Sequence, residues 1–272
     1  MDPDTKYLDP PPSYEETVAE GSRTPPTLQP VTLLLDGQCI RDVSTSNSLY
    51  QISRSVTSLP KTPPKNSSIR FERVDTDSRV PEKAKGSESH QSALQHRHLF
   101  YLAHPADAQY RTDIPGYYIT SVNTETVGNI HFDTSKSRLQ KTEFTALLSA
   151  KRTASDQPLF DEAGRASTLF TARPAKWMSN RYTWTQEDGS QVAMEDVKGD
   201  EHNLVMTTPM TQETRDALVA VWMLRLWYET AESKQAKRDE IERLMAPVSY
   251  QDWTSAKRIG GLGALAGAGG GG

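Results

Sequence analysis

Three groups of residues in this sequence have types and spacing that could do chemistry. The sharpest is Pro11-Pro12-Ser13-Tyr14, a PPxY motif. Consecutive prolines pre-form a polyproline II helix, so little order is lost when such a segment settles into an aromatic-lined groove of the kind WW domains present. The tyrosine enters a separate pocket. The candidate WW-binding residues are therefore Pro11, Pro12 and Tyr14, and the adjoining Glu15-Glu16 suits a partner with a basic rim. HECT-type ubiquitin ligases are among the partners of PPxY segments, so the motif implies an adaptor or a substrate role. Lys61, Lys65, Lys83 and Lys85 stand in loop-like stretches where they could be modified. The plainer reading is a PPxY produced by composition alone; its setting in an open, acidic segment favours recognition.

The second group is basic. Lys136, Arg138, Lys141, Lys151 and Arg152 fall between residues 134 and 153 and are opposed there by Glu143 alone. Lys and Arg match phosphate in charge and donor geometry, so the cluster is a candidate anionic-lipid patch. A strand edge kept from pairing by its charges would look the same. The third group is His96 and His98, on either side of Arg97. No third ligand stands at a metal-binding spacing, so no metal or other cofactor is expected. Asp133, Asp161 and Glu162 offer no carboxylate pairing that spacing alone certifies. Gly-x-Ser-x-Gly and the Gly-x-x-x-x-Gly-Lys-Ser/Thr phosphate loop are both absent. The glycines of 260–272 follow no strand and open no helix. Thr24-Pro25 and Thr62-Pro63 could be phosphorylated but read more simply as turns. The expectation is a protein that is not an enzyme.

Length and composition limit what positions these residues. The 272 residues suffice for one large domain or two small ones. Net charge is −4, from 31 basic and 35 acidic residues. The first 30 residues hold six acids and two bases, so the rest of the chain is neutral and a globally basic nucleic-acid binder is excluded. Mean hydropathy is −0.65, low for a wholly folded chain. One cysteine, Cys39, excludes an intramolecular disulfide. The N-terminus has no apolar core of a signal peptide, and the run Ala217 to Leu224 is far short of the ~20 apolar residues a membrane span needs. A cytoplasmic protein, peripheral at membranes if the basic cluster binds lipid, is the expectation.

The pattern along the chain is that of a mainly β domain between polar ends. Residues 1–30, rich in Pro, Asp, Glu and Thr, predict a disordered tail. The domain is expected over 31–246, with 75–96 a mobile insertion loop and 247–272 a flexible Gly/Ala-rich tail. Two apolar runs around Asp36-Gly37 predict a hairpin. Alternation predicts strands at 49–53 and 69–74, then at 99–103, 117–122, 128–132, 144–150, 168–172, 182–186, 191–196 and 204–207. Gly189 can supply the positive φ of the turn after Gln186. Thr211 is a plausible helix N-cap, with Glu213 set to complement the dipole. Ala217 to Leu224 is apolar on every face, which requires burial all round; in a β-rich chain that means the middle of a sheet that wraps it. Trp222 and Trp227 on this helix are core residues by the same argument.

Leu33-Leu34-Leu35-Asp36-Gly37, Leu49-Tyr50-Gln51-Ile52, Tyr182-Thr183-Trp184 with its Asp188-Gly189 turn, and Asp216-Ala217-Leu218-Val219-Ala220-Val221-Trp222 together resemble the tubby C-terminal-like fold of tubby, LURP-one-related and scramblase proteins. The likeness covers about residues 31–230. It is nearest to fungal proteins that pair a PPxY-bearing acidic tail with a tubby-like domain. The resemblance implies a closed β-barrel around a buried hydrophobic C-terminal α-helix, and phosphoinositide binding through surface cations. The chain lacks a scramblase-like spanning helix and a cysteine cluster for palmitoylation. Two functional expectations follow: recruitment of a WW-domain partner through the tail, or phosphoinositide binding at a membrane through the barrel.

Overall fold

The computed structural model describes residues 26–58, 68–76, 94–105, 114–136, 142–161, 165–175, 181–199 and 201–233. The strands are β1 (Thr27–Leu28), β2 (Thr32–Asp36), β3 (Cys39–Asp42), β4 (Ser48–Ile52) and β5 (Ser68–Thr76). They continue as β6 (Leu94–Ala103), β7 (Tyr118–Ser121), β8 (Gly128–Lys136), β9 (Thr142–Ala150) and β10 (Ser167–Pro174). The last are β11 (Tyr182–Thr185), β12 (Gln191–Lys198), β13 (Glu201–Met206) and β14 (Met210–Thr211), before a single described helix, α1 (Gln212–Ala231).

β2 through β13 form a closed antiparallel barrel of twelve strands, in which each strand pairs with its neighbours in sequence and β13 returns to β2. The alternation that marked the strands is the alternation of their burial: Leu33 and Leu35, Tyr50 and Ile52, and Tyr182 and Trp184 are buried while the residues between them are partly open. Eight strands already leave just enough interior for side chains to fill, and diameter grows with strand number. A twelve-stranded barrel needs something more, and α1 supplies it. Every residue from Asp216 to Trp227 is buried. The helix is apolar all round because it has barrel wall all round.

Local chemistry sets the ends of these elements. Thr211 is extended, and its side chain accepts from the Thr214 amide, with Glu213 in the first turn, as expected of an N-cap. Gly189 has φ +80° and turns the chain from β11 into β12. Gly128 opens β8 with φ +124°, where an added Cβ would lie 2.4 Å from the Ser149 carbonyl oxygen, so only glycine fits.

Two boundaries differ from expectation. The segment 1–30 was expected to be wholly tail, yet Thr27 and Leu28 pair with Thr211 and Met210. Two residues carry no readable period; the pairing comes from β14, which sequence alone does not bring near. The stretch 75–96 was expected to be one loop, yet Asp75 and Thr76 end β5 and Leu94–His96 begin β6, in register with one another. Polar alternation such as Gln95-His96-Arg97-His98 has no apolar face to betray a strand; its pairing partner makes it one. Residues 1–25, 77–93 and 234–272 lie outside the described residues, and with them most of the expected loop and both remaining tails.

Candidate functional site

Pro11, Pro12 and Tyr14 lie outside the described residues, so the structure bears on the PPxY segment through the point where it joins the barrel. That point is the ribbon of β1 and β14 at the N-terminus of α1. There the Arg215 guanidinium donates to the Gln29 carbonyl oxygen at 2.9 Å, a second tie between the entering chain and the helix. Beside it lies a groove of about 670 Å³ lined by residues 28–32, residues 42–44, Leu49 and Met206; the Val43 amide donates to the Thr32 carbonyl oxygen at 2.9 Å, so the first two segments run side by side. Val43 on its rim is 51% exposed, the most open large apolar side chain among those described. Arg215 lines the groove, and its Nε is shut off from solvent with no hydrogen-bond partner. Asp42 also lines it, with its carboxylate already accepting from the Ser44 amide and hydroxyl and the Thr45 hydroxyl. These bonds outweigh its slight burial and hold its pKa below the ordinary value.

The interior holds two polar centres, one toward each end of α1. Near the start, Asp216 accepts from the Tyr50 hydroxyl at 2.8 Å and from Arg73 at 2.7 Å, and Arg73 also binds Asp75 at 2.7 Å. Burial pushes both the Asp216 carboxyl and the Tyr50 hydroxyl upward, the first against the pull of Arg73 and the second reinforced by Asp216 itself. Nine residues along the helix, about 14 Å at 1.5 Å per residue, Arg225 meets Glu195 of β12. The Trp184 indole donates to the other Glu195 oxygen at 2.9 Å, and Arg225 also reaches Glu229 at 2.9 Å and stacks over Tyr182 at 4.4 Å. Burial lifts the Glu195 carboxyl to about 7, against the opposing influence of Arg225 and Trp184. Arg225 stays firmly charged, because Glu195 and Glu229 outweigh its own desolvation. These groups bond to one another rather than converging on a vacant space, so their geometry is that of ties between helix and wall.

The basic cluster is not one patch. Lys136 pairs with Thr142 at one end of the β8–β9 hairpin, and Gly128 pairs with Ala150 at the other. β9 spans about 27 Å at ~3.4 Å per residue, which separates Lys136 from Lys151 and Arg152. Phe144 packs edge-on against Tyr228, so the Lys136 end lies toward the C-terminus of α1. Arg152 is engaged, with Nε 2.7 Å from Asp161 and another nitrogen on the Pro158 carbonyl oxygen at 2.9 Å. Lys151 occupies the tight turn after β9 with φ +62°. Arg138 and Lys141 lie outside the described residues. Adjacency in sequence suggested one surface; a nine-residue strand between the two halves divides it.

His96 and His98 point to different partners. His96 Nδ1 is 3.6 Å from Glu72, and His98 Nε2 is 3.0 Å from the Phe100 carbonyl oxygen. No three His, Cys, Asp or Glu side chains among the described residues stand together as metal ligands. Cys39 is a free thiol on β3. No helix among the described residues is long and apolar enough to cross a membrane. Sequence reading missed the groove and Arg215. The Arg residue sits one position before the buried stretch of the helix, the only hint of it, and most of the lining comes from residues over 160 positions away.

Comparison of the chain with protein-family models, with curated proteins and with solved structures finds no match.

Proposed function

We propose that this protein is a non-enzymatic interaction protein that recruits a WW-domain partner, of which HECT-type ubiquitin ligases are the leading class, through Pro11, Pro12 and Tyr14. The observation that carries the reading is the PPxY motif itself, in a stretch with six acids and two bases that enters the fold at a fixed point, the β1–β14 ribbon. The interior of the barrel supports a binding role for the exterior and the tail, since α1 occupies the barrel and its buried charges are engaged with one another. Tyr14 stands thirteen positions before Thr27, where pairing with β14 ties the chain to the fold.

The test is calorimetry. A peptide covering residues 1–30 and the full chain are each titrated into a panel of WW domains. We expect about micromolar binding to at least one of them, near −8 kcal/mol, and its loss in Tyr14→Ala. Failure of every WW domain to bind the peptide would remove the recruitment reading.

A second reading, phosphoinositide binding at a membrane surface, is favoured by one feature. Lys136 closes the β8–β9 ladder at one barrel end, and Arg138 and Lys141 follow within the same hairpin connection. In this reading the three hairpin cations make the contact, without Lys151 and Arg152.

A further inference from the structure

We propose that the groove beside Arg215 is the docking place of the chain's own segment Tyr14–Glu20, so that the barrel holds part of the PPxY motif in reserve. The proposal rests on the recruitment reading for its consequence, though not for the contact. The groove has an apolar floor, an exposed Val43 on its rim and one cation, Arg215, whose Nε has no acceptor. Such a surface fits a short segment with an apolar side chain and a carboxylate nearby. The residues that precede the described fold end at position 25, and Leu28 to Thr32, just after, line the groove. Whatever those 25 residues do, they begin from its edge.

Their chemistry is complementary. The first 25 residues carry six acids and two bases, and few large apolar side chains: Met1, Tyr7, Leu8, Tyr14 and Val18. Tyr14-Glu15-Glu16-Thr17-Val18-Ala19-Glu20 places two of these four residues apart, among three carboxylates. A carboxylate there can pair with the Arg215 guanidinium, which already donates to the Gln29 carbonyl oxygen. Asp42 in the same lining disfavours an acid beside it, which favours the segment's carboxylates on the Arg215 side. Gly21-Ser22 follows, and glycine permits the sharp reversal that the return needs. Val18 stands ten residues before Leu28, a reach of at most about 35 Å, so the linker does not limit the contact.

Tethering makes a weak contact sufficient. A tether of about ten residues gives an effective concentration on the order of 1 mM, so an intrinsic Kd near 0.1 mM would leave the groove about nine-tenths occupied. A docked Tyr14 is unavailable to a WW domain. The full chain would then bind WW domains about tenfold more weakly than the free peptide, and opening the groove would remove the difference.

Two measurements on the full chain test this. In the first, p-benzoylphenylalanine replaces Tyr14 and irradiation is followed by mass-spectrometric mapping. Cross-links within one molecule to residues 28–32, 42–44 or Met206 are expected. Cross-links elsewhere on the barrel, none at all, or cross-links only between molecules would each overturn the proposal, the last by assigning the groove to a second copy. This readout needs no WW domain, so it stands even if recruitment fails. In the second, full-length Val43→Asp and Arg215→Gln are titrated with a WW domain that binds the 1–30 peptide. A gain toward peptide affinity, about tenfold, is expected in both variants. Equal affinities of peptide, wild type and variants would overturn the docking even with recruitment intact. Val43 is exposed, so its variant keeps the fold if Arg215→Gln does not.

Discussion

At the scale of single residues, the barrel depends on a few positions that admit one chemistry. Gly128 is the plainest: its φ is +124°, and a Cβ would sit 2.4 Å from the Ser149 carbonyl oxygen and 2.7 Å from the Lys151 amide. Both obstacles are backbone and cannot swing aside. Gly128→Ala is expected to lower unfolding free energy by about 2 kcal/mol or more, read from a shift in the urea midpoint. Glu195 makes a different kind of demand. Its folded carboxyl holds a proton up to about pH 7, whereas the unfolded one releases it near 4.5. The folded state therefore binds more protons in that interval, and this group's contribution to stability is present below about 4.5 and lost as pH rises toward 7. Asp216, raised by the same cause, acts in the same sense. Asp42, Asp156 and Asp188 have lowered values, so their contributions are lost only in more acid solution. Urea midpoints at pH 5, 6, 7 and 8 should fall for the wild type and flatten in Glu195→Gln. An unchanged slope in the variant would show that Glu195 is not the source.

At the scale of elements, α1 is the piece on which the others depend. A closed barrel has no edge strands to protect, but twelve strands enclose more space than their own inward side chains fill. Leu218, Val221 and Trp222 are fully buried in that space. Leu218→Ala should cost about 2–5 kcal/mol, since a rigid closed wall collapses poorly onto a cavity. The measurement is again equilibrium unfolding, and a loss below 1 kcal/mol would mean that the wall relaxes more than its closure implies. The two buried ion pairs have a separate consequence. Tyr50, Arg73 and Asp216 tie the beginning of the helix to β4 and β5, and Glu195 and Arg225 tie its later turns to β12. Packing of apolar side chains sets no single register for a helix that is apolar all round; two fixed charge contacts about 14 Å apart do so at both ends.

At the scale of the whole molecule, the arrangement separates the two candidate surfaces. The chain enters beside the start of α1, where the Arg215 groove lies, whereas the Lys136 end of the β8–β9 hairpin lies toward the helix C-terminus. A membrane contact at the hairpin would leave the PPxY stem clear of the lipid. Co-sedimentation with phosphoinositide-containing liposomes at two salt concentrations tests that contact. Lys136→Glu should weaken it and Lys151→Glu should not, because about 27 Å of strand exceeds the ~8 Å Debye length at physiological salt. Equal effects of the two variants would return the cluster to a diffuse charge attraction.

The sequence by itself determined the strand rhythm, the hairpin at Asp36-Gly37, the turn at Gly189, the N-cap at Thr211 and the burial of α1. Each is a local matter: alternation, a positive φ, a capping oxygen, or an apolar run that must leave water. From these a β-rich chain wrapped around a buried helix was legible, while closure into a barrel was what the resemblance implied; the PPxY motif was legible too, as four adjacent residues. Tertiary structure alone decided the rest. β1 and the start of β6 exist because of their partners, not their own patterns. The basic cluster divides because nine residues of strand are long in space though short in sequence. Arg73 finds Asp216 from 143 positions away. Arg215 lines a groove with residues 28–32, residues 42–44, Leu49 and Met206, a juxtaposition that no local rule encodes, because it is made by closing the barrel.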